Sequence, residues 1–188
     1  MARALRSGKP GSVRIETPAA GHRLWAPWRY TYLRSAGKKP SKCIFCFGEL
    51  KAPERSRRFV LHTSRLSLVM LNAFPYNNGH LMIAPRRHVA SPELLERQER
   101  IELQELVTYS IEALRKELKP DGFNVGANLG KVAGAGFADH MHWHVVPRWA
   151  GDNNFMPVIA STRVLSQHLL DSFRQLHPLF KAIKAGLS

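Results

Sequence analysis

Apolar and polar residues alternate strictly over His140-Met141-His142-Trp143-His144-Val145, ahead of Val146, Pro147 and Arg148. Successive side chains of an extended strand point to opposite faces. This pattern therefore puts three imidazoles on one side of a sheet, roughly 6.6 Å apart along the strand, and Met141, Trp143 and Val145 on the other, in a core. Short apolar runs at 58–62 and 66–72, joined by Thr63-Ser64-Arg65, predict a hairpin. Phe74-Pro75-Tyr76-Asn77-Asn78-Gly79 has the chemistry of a loop, and His80 to Ala84 reads as a third strand stopped by Pro85. Ser91 ahead of Pro92 and Glu93 marks a helix start, with Ser91 as N-cap and Pro92 at the first helical position. Leu94, Leu95, Ile101, Leu103, Leu106, Val107, Ile111, Leu114 and Leu118 recur near helical spacing until Pro120-Asp121-Gly122. Phe123 to Leu129 is a fourth strand, the glycine-rich stretch Gly130 to Gly136 leads into the histidine strand, and helical periodicity returns over 163–184. The expected architecture is α+β: one antiparallel sheet of about five strands with helices on one face. The histidine strand lies beside the strand that precedes it.

A length of 188 residues suits one domain with one sizeable core, and no internal repeat is visible. Residues 1–21 lack apolar periodicity and read as a flexible basic tail, while 22–188 form the single domain, with a catalytic core over about 43–160 and a C-terminal helix. Two tryptophans and two tyrosines around Pro27 suggest that 22–34 pack on the body or on a second subunit. The chain has no apolar run long enough for a membrane span, and no apolar stretch of signal-peptide type follows the basic start. Its two cysteines cannot form a disulfide framework, so a cytoplasmic protein is expected. Lys and Arg number 28 against 14 Asp and Glu, and ten of the cations precede residue 43. Such a field attracts nucleotides, polyphosphates or nucleic acid without choosing among them.

Three histidines on one strand face support two chemistries. They can hold a catalytic metal, or the central His142 can attack phosphorus through Nε2 while its neighbours fix its tautomer and donate protons. The segment Asn124 to Gly136 is rich in small residues, which let the backbone approach a ligand closely, and its successive N–H groups can cradle an anion; a plain flexible connector is the alternative. Asn128 adds a neutral donor and Lys131 a mobile cation. Arg148 either neutralises charge or is surface. Cys43-Ile44-Phe45-Cys46 is half of a tetrahedral zinc site or a redox pair, with His80, His88 and His140 available to complete a closed, structural zinc.

HMHWHVVPRW resembles the His-x-His-x-His signature of the histidine triad family of nucleotidyl hydrolases and transferases. NNGHLMIAPRRH is similar to that family's Gly-His strand, and CIFC to its zinc-bearing bacterial branch. RLWAPWR, NVGANLGKVAGAG and VVPRW are similar to its bacterial diadenosine-tetraphosphate phosphorylases. The resemblance covers roughly 22–160. It implies a histidine-triad fold and an enzyme that forms a nucleotidyl-histidine intermediate on a purine nucleotide, foremost the phosphorolysis of diadenosine tetraphosphate to ADP and ATP. Hydrolysis of dinucleoside polyphosphates or nucleoside phosphoramidates is the near alternative, and processing or binding of nucleic-acid ends is a distant one. His142 would be the nucleophile, His144 a phosphate contact and proton-transfer group, and His80 the upstream histidine that supports the triad by hydrogen bonding. Asn72 would meet the ribose hydroxyls, and Asn128, Gly134, Ala135 and Gly136 the phosphates; Trp149 would stack on adenine or seal a dimer contact. Cys43, Cys46, His88 and His140 would bind zinc, and the His140 carbonyl would orient the Nδ1–H of His142. Inorganic phosphate is the implied acceptor and a homodimer with joined sheets the implied assembly. Many family members carry Gln, Ser or Thr four residues before the first triad histidine as a leaving-group donor; Gly136 stands there in this chain.

Overall fold

A computed structural model describes residues 43–152, 167–181 and 183. The basic tail, the aromatic segment 22–34 and the start of the expected C-terminal helix lie outside them. The described elements run in the order α1 (Ala52–Arg57), β1 (Val60–Thr63), β2 (Ser67–Leu71), β3 (Leu81–Pro85), α2 (Arg97–Leu118), β4 (Gly122–Ala127), β5 (Trp143–Arg148) and α3 (Leu169–Lys181). The five strands form one antiparallel sheet in the order β1-β2-β3-β5-β4. The last strand in sequence is thus inserted between β3 and β4, so it is flanked by strands from both halves of the described chain.

Both faces of β2 and β3 are covered, which explains why these strands are buried at every position and apolar at all but Ser67 instead of alternating. Val69, Leu71, Leu81, Ile83 and Val145 face the helices and join Leu103, Leu106, Leu114, Phe173, Leu176 and Phe180 in the main core. Leu68, Met70, Met82 and Ala84 face the other way, where Phe45 and the partly buried Cys43, Ile44, Phe47 and Phe137 cover them. The helices α2 and α3 therefore lie on one face, as the pattern predicts, and the segment that starts at the cysteine pair serves as lid for the other.

Three local expectations are corrected. The regular strand begins at Trp143, so only His144 of the three histidines sits in the ladder. His140 to His142 approach it as a loop end pinned by the Met141 N–H on the Val89 carbonyl, 2.7 Å. Ser91 makes no side-chain cap, and Pro92–Leu94 form only a short 3₁₀ turn. The long helix starts at Arg97 because Glu96 and Glu99 make the cap, with the Glu96 N–H donating to Glu99 Oε2 at 2.8 Å. The small helix α1 has no buried residue and so leaves no apolar periodicity to read. No helix among the described residues is long and apolar enough to cross a membrane.

Candidate active site

The cysteine pair forms a tight turn, closed by the Cys46 N–H on the Cys43 carbonyl at 3.3 Å. It sets both thiols beside His88, from the loop after β3, and His140, so that the four donor atoms lie within 4.8 Å of one another. Nδ1 of His140 is 3.4 Å from each sulfur and 3.2 Å from Nδ1 of His88, which is itself 3.2 Å from Cys46 Sγ. His140 Nε2 lies 2.9 Å from the Pro85 carbonyl and must donate to it, which leaves Nδ1 as an acceptor only. One lone pair cannot serve three neighbours, whereas a shared cation can. The edges of a tetrahedron with zinc–nitrogen and zinc–sulfur bonds are roughly 3.3–3.8 Å long, and the four separations of 3.2–3.4 Å lie near the short end of that range. Burial pushes the His140 pKa down to about 4, which keeps the ring in its neutral, ligating form. Arg86 braces the turn by donating to the Phe47 carbonyl at 2.8 Å and lying over the Phe47 ring.

His140 also shapes His142. The His142 Nδ1–H donates to the His140 carbonyl at 3.0 Å, so Nε2 holds the lone pair. His142 is 4 % exposed, and that burial lowers its pKa although the same hydrogen bond opposes the shift. A neutral imidazole with a bare Nε2 is a nucleophile. The Phe45 ring, 1 % exposed, packs 4.8 Å from the His142 ring and 5.1 Å from that of His140.

His144 carries the opposite tautomer. The Tyr76 N–H donates to His80 Nδ1 at 3.0 Å, and Asn72 Nδ2 lies 3.4 Å from the same atom, so His80 is protonated at Nε2. That Nε2–H donates to His144 Nδ1 at 2.9 Å, which leaves the proton of His144 on Nε2. The rings of His142 and His144 stand 4.8 Å apart, edge to face. Burial, and next the neighbouring His142, push the His144 pKa down to about 4. One histidine thus offers a lone pair, and the other an N–H beside it.

The comparisons with known proteins bear on the same residues. Residues 54–151 match the HIT domain, the family profile named for this histidine motif. The chain belongs to the histidine triad family. It is 40% identical over 159 residues to an AP-4-A phosphorylase of Mycobacterium tuberculosis, covering 82% of each chain. It is 29% identical over 109 residues to an adenosine 5'-monophosphoramidase of Schizosaccharomyces pombe, covering 56% of this chain and 74% of that one. Among solved structures, a Zn-bound histidine triad family protein of Mycobacterium smegmatis superposes with a TM-score of 0.54 at 24% identity, over 65% of this chain and 84% of that one, and shares the fold.

In this histidine triad chain the other expected site residues occupy varied positions. Asn72 directly follows β2, with its N–H on the His80 carbonyl and its Oδ1 accepting from the Phe74 N–H. Asn128 follows β4 and is half-buried. Gly134 adopts φ +88°, and its N–H donates to the Lys131 carbonyl; the Ala135 N–H donates to Gly130. The glycine loop is therefore folded on itself with those two donors engaged, and Gly136 follows them. Arg148 forms a forked pair with Asp152, Nε to Oδ2 at 2.6 Å and NH2 to Oδ1 at 2.8 Å, and its NH1 donates to Asn124 Oδ1 at 2.7 Å. Asp152 also accepts from Asn77 Nδ2 and from the N–H of Trp149, which ties the loop before His80 to the end of β5. Sequence reasoning missed Tyr76, Asp152 and Phe45. Tyr76 acts through its main chain and through its ring, which stacks on His80 at 5.0 Å, Asp152 through a loop, and Phe45 through packing, none of which has a periodic signal. Only the apolar residues inside the cysteine pair hinted at Phe45.

Proposed function

We propose that the chain is a nucleotidyl transferase that splits diadenosine tetraphosphate with inorganic phosphate into ADP and ATP. The observation that carries the reading is the opposite protonation of His142 and His144, set by the His140 carbonyl and by His80. The 40% identity to an AP-4-A phosphorylase supports the choice of substrate. In the first step His142 Nε2 attacks the phosphorus nearest one adenosine. A P–N bond forms, the P–O bond to the polyphosphate breaks, and ATP leaves with the bonding electrons. The imidazolium so formed keeps its Nδ1–H on the His140 carbonyl, which stabilises the new charge. His144 Nε2–H donates to a phosphate oxygen. Inorganic phosphate then attacks the same phosphorus, the P–N bond breaks, and ADP departs with His142 restored. Asn72 serves the ribose, and Asn128 with the 134–136 backbone serves the phosphates once the loop opens its internal bonds.

Cys43, Cys46, His88 and His140 hold zinc in this reading, as the donor set and its spacing suit that ion. A histidine triad protein of the same fold is Zn-bound. The ion's contribution is structural: it fixes the backbone whose carbonyl orients His142. The enzyme works in the cytoplasm as a homodimer joined through β4, whose middle residues Asn124 and Val125 are exposed at the sheet edge. Similarity to a phosphoramidase favours a second reading, hydrolysis of nucleoside phosphoramidates.

Incubation with diadenosine tetraphosphate, with and without inorganic phosphate, followed by chromatography, tests the proposal. ADP and ATP in equal amounts, formed only with phosphate, is the expected result. AMP and ATP in its absence at the same rate would make the protein a hydrolase. No turnover of the dinucleotide beside turnover of adenosine phosphoramidate would select the second reading.

A further inference from the structure

We propose that Phe45 is a positioning residue for the nucleophile, so that the cysteine turn acts on His142 through packing as well as through the His140 backbone. Rotation of an imidazole about its last side-chain bond is a broad, soft torsion. The single hydrogen bond from Nδ1 to the His140 carbonyl fixes the direction of one ring atom and leaves the tilt of the ring open. Phe45 lies against that ring at 4.8 Å with 35° between the planes. It is held in turn by Phe137 at 5.8 Å edge to face, by His140 at 5.1 Å and by the apolar cluster of Met70, Met82 and Ala84. His144 stands 4.8 Å from the same ring at 74°. The His142 ring thus packs against two rings, one of them delivered by the turn that joins Cys43 to Cys46. A displacement of the attacking nitrogen by about 1 Å is enough to cost on the order of 10²-fold in rate, so a flat, immobile neighbour matters more than the area it buries.

The role as a nucleophile rests on the proposed function; the packing does not. Phe45→Leu and Phe45→Met, compared with the wild type as the zinc-loaded full chain, separate the two. For variants that retain one zinc per chain, we expect a KM for diadenosine tetraphosphate within twofold and a kcat at least tenfold lower. We also expect NMR relaxation spectra in which the His142 ring is more mobile than in the wild type while its proton stays on Nδ1. The spectra need no substrate, so they read the positioning role even if the nucleotidyl-transfer reading fails. Variants with kcat within twofold of wild type and an unchanged His142 spectrum would overturn the proposal. So would variants whose loss of activity is reversed in full by added zinc, since Phe45 would then serve only to fill the turn.

Discussion

At the residue scale, the division of labour between His142 and His144 comes from what each Nδ1 meets. One Nδ1 faces a carbonyl and must carry the proton; the other faces an N–H and must not. His142→Ala should therefore abolish turnover, by roughly 10⁴-fold or more, since no other group supplies the covalent step. His144→Ala should lower kcat by about 10²–10⁴-fold, the range of a single proton donor. His80→Ala should act in the same direction but less, because it frees the tautomer of His144 without removing the ring. Steady-state kinetics checks the ranking, and equal losses for His80 and His144 variants would contradict it. The histidines also predict how stability varies with pH. The His144 pKa is lowered from the ordinary histidine value of 6.5 to about 4, so the unfolded chain binds the proton more readily than the folded one. Its contribution is fully present above pH 6.5 and is lost as the pH falls from 6.5 to about 4. Urea unfolding between pH 7.5 and 4.5 should show the midpoint dropping, and His144→Gln should flatten that drop. An unchanged slope in the variant would remove His144 from the account.

At the element scale, the relay depends on β3 and β5 being neighbours. Leu81 pairs with Val145 and Met82 with His144, so His80, one residue earlier, lies diagonally from His144 on the same face. Gly79 makes the entry to that strand possible. Its φ is +70°, and a Cβ there would stand 2.5 Å from Leu118 Cδ1 and 3.0 Å from Leu114 Cδ2. Gly79→Ala combines a left-handed backbone with overpacking against α2 and should cost about 2–4 kcal/mol. Chemical denaturation measures it, and the displaced His80 should lower kcat in whatever fraction stays folded. A loss under about 0.5 kcal/mol would mean that the helix yields freely. Much of this layer was legible in the sequence, because period two placed the histidines opposite Met141, Trp143 and Val145; Met141 and Val145 enter the main core and Trp143 packs half-buried against it. The four candidate metal ligands were named through the family resemblance, and the structure brings their donor atoms together in a cluster that could hold an ion. The helix start was misplaced because Ser91-Pro92 and Glu96 with Glu99 are both good local caps, and only tertiary contact decides between them. Arg87 decides it, through a forked ion pair to Glu99 at 2.6 and 3.0 Å that anchors the loop carrying His88. The insertion of β5 between β3 and β4 and the main-chain donor from Tyr76 were not legible, since both belong to long-range register.

At the scale of the whole molecule, an ion held by Cys43, Cys46, His88 and His140, as proposed above, would fasten the segment from Cys43 onward over the sheet face that the helices leave bare. An ion bound only by the folded chain stabilises it by mass action, about 4 kcal/mol at a thousandfold excess over its dissociation constant. Removal of zinc with a chelator should thus lower the melting temperature, reversibly on adding the ion back, and reduce kcat more than it raises KM. A melting temperature indifferent to chelator would show that the four donors hold no ion. The net charge of +14 makes binding of nucleic acid the natural competitor to nucleotide chemistry. Phosphorolysis with normal kinetics in the presence of excess oligonucleotide would set that competitor aside. The most direct test of the central claim is a rapid-quench experiment with dinucleotide labelled at the phosphorus next to adenosine, followed by peptide mapping. The account predicts label on the His142 peptide, as an acid-labile and base-stable phosphoramidate, that forms and decays at rates fast enough to support turnover. Turnover without label on His142 at any time, or label that accumulates more slowly than product, would contradict it.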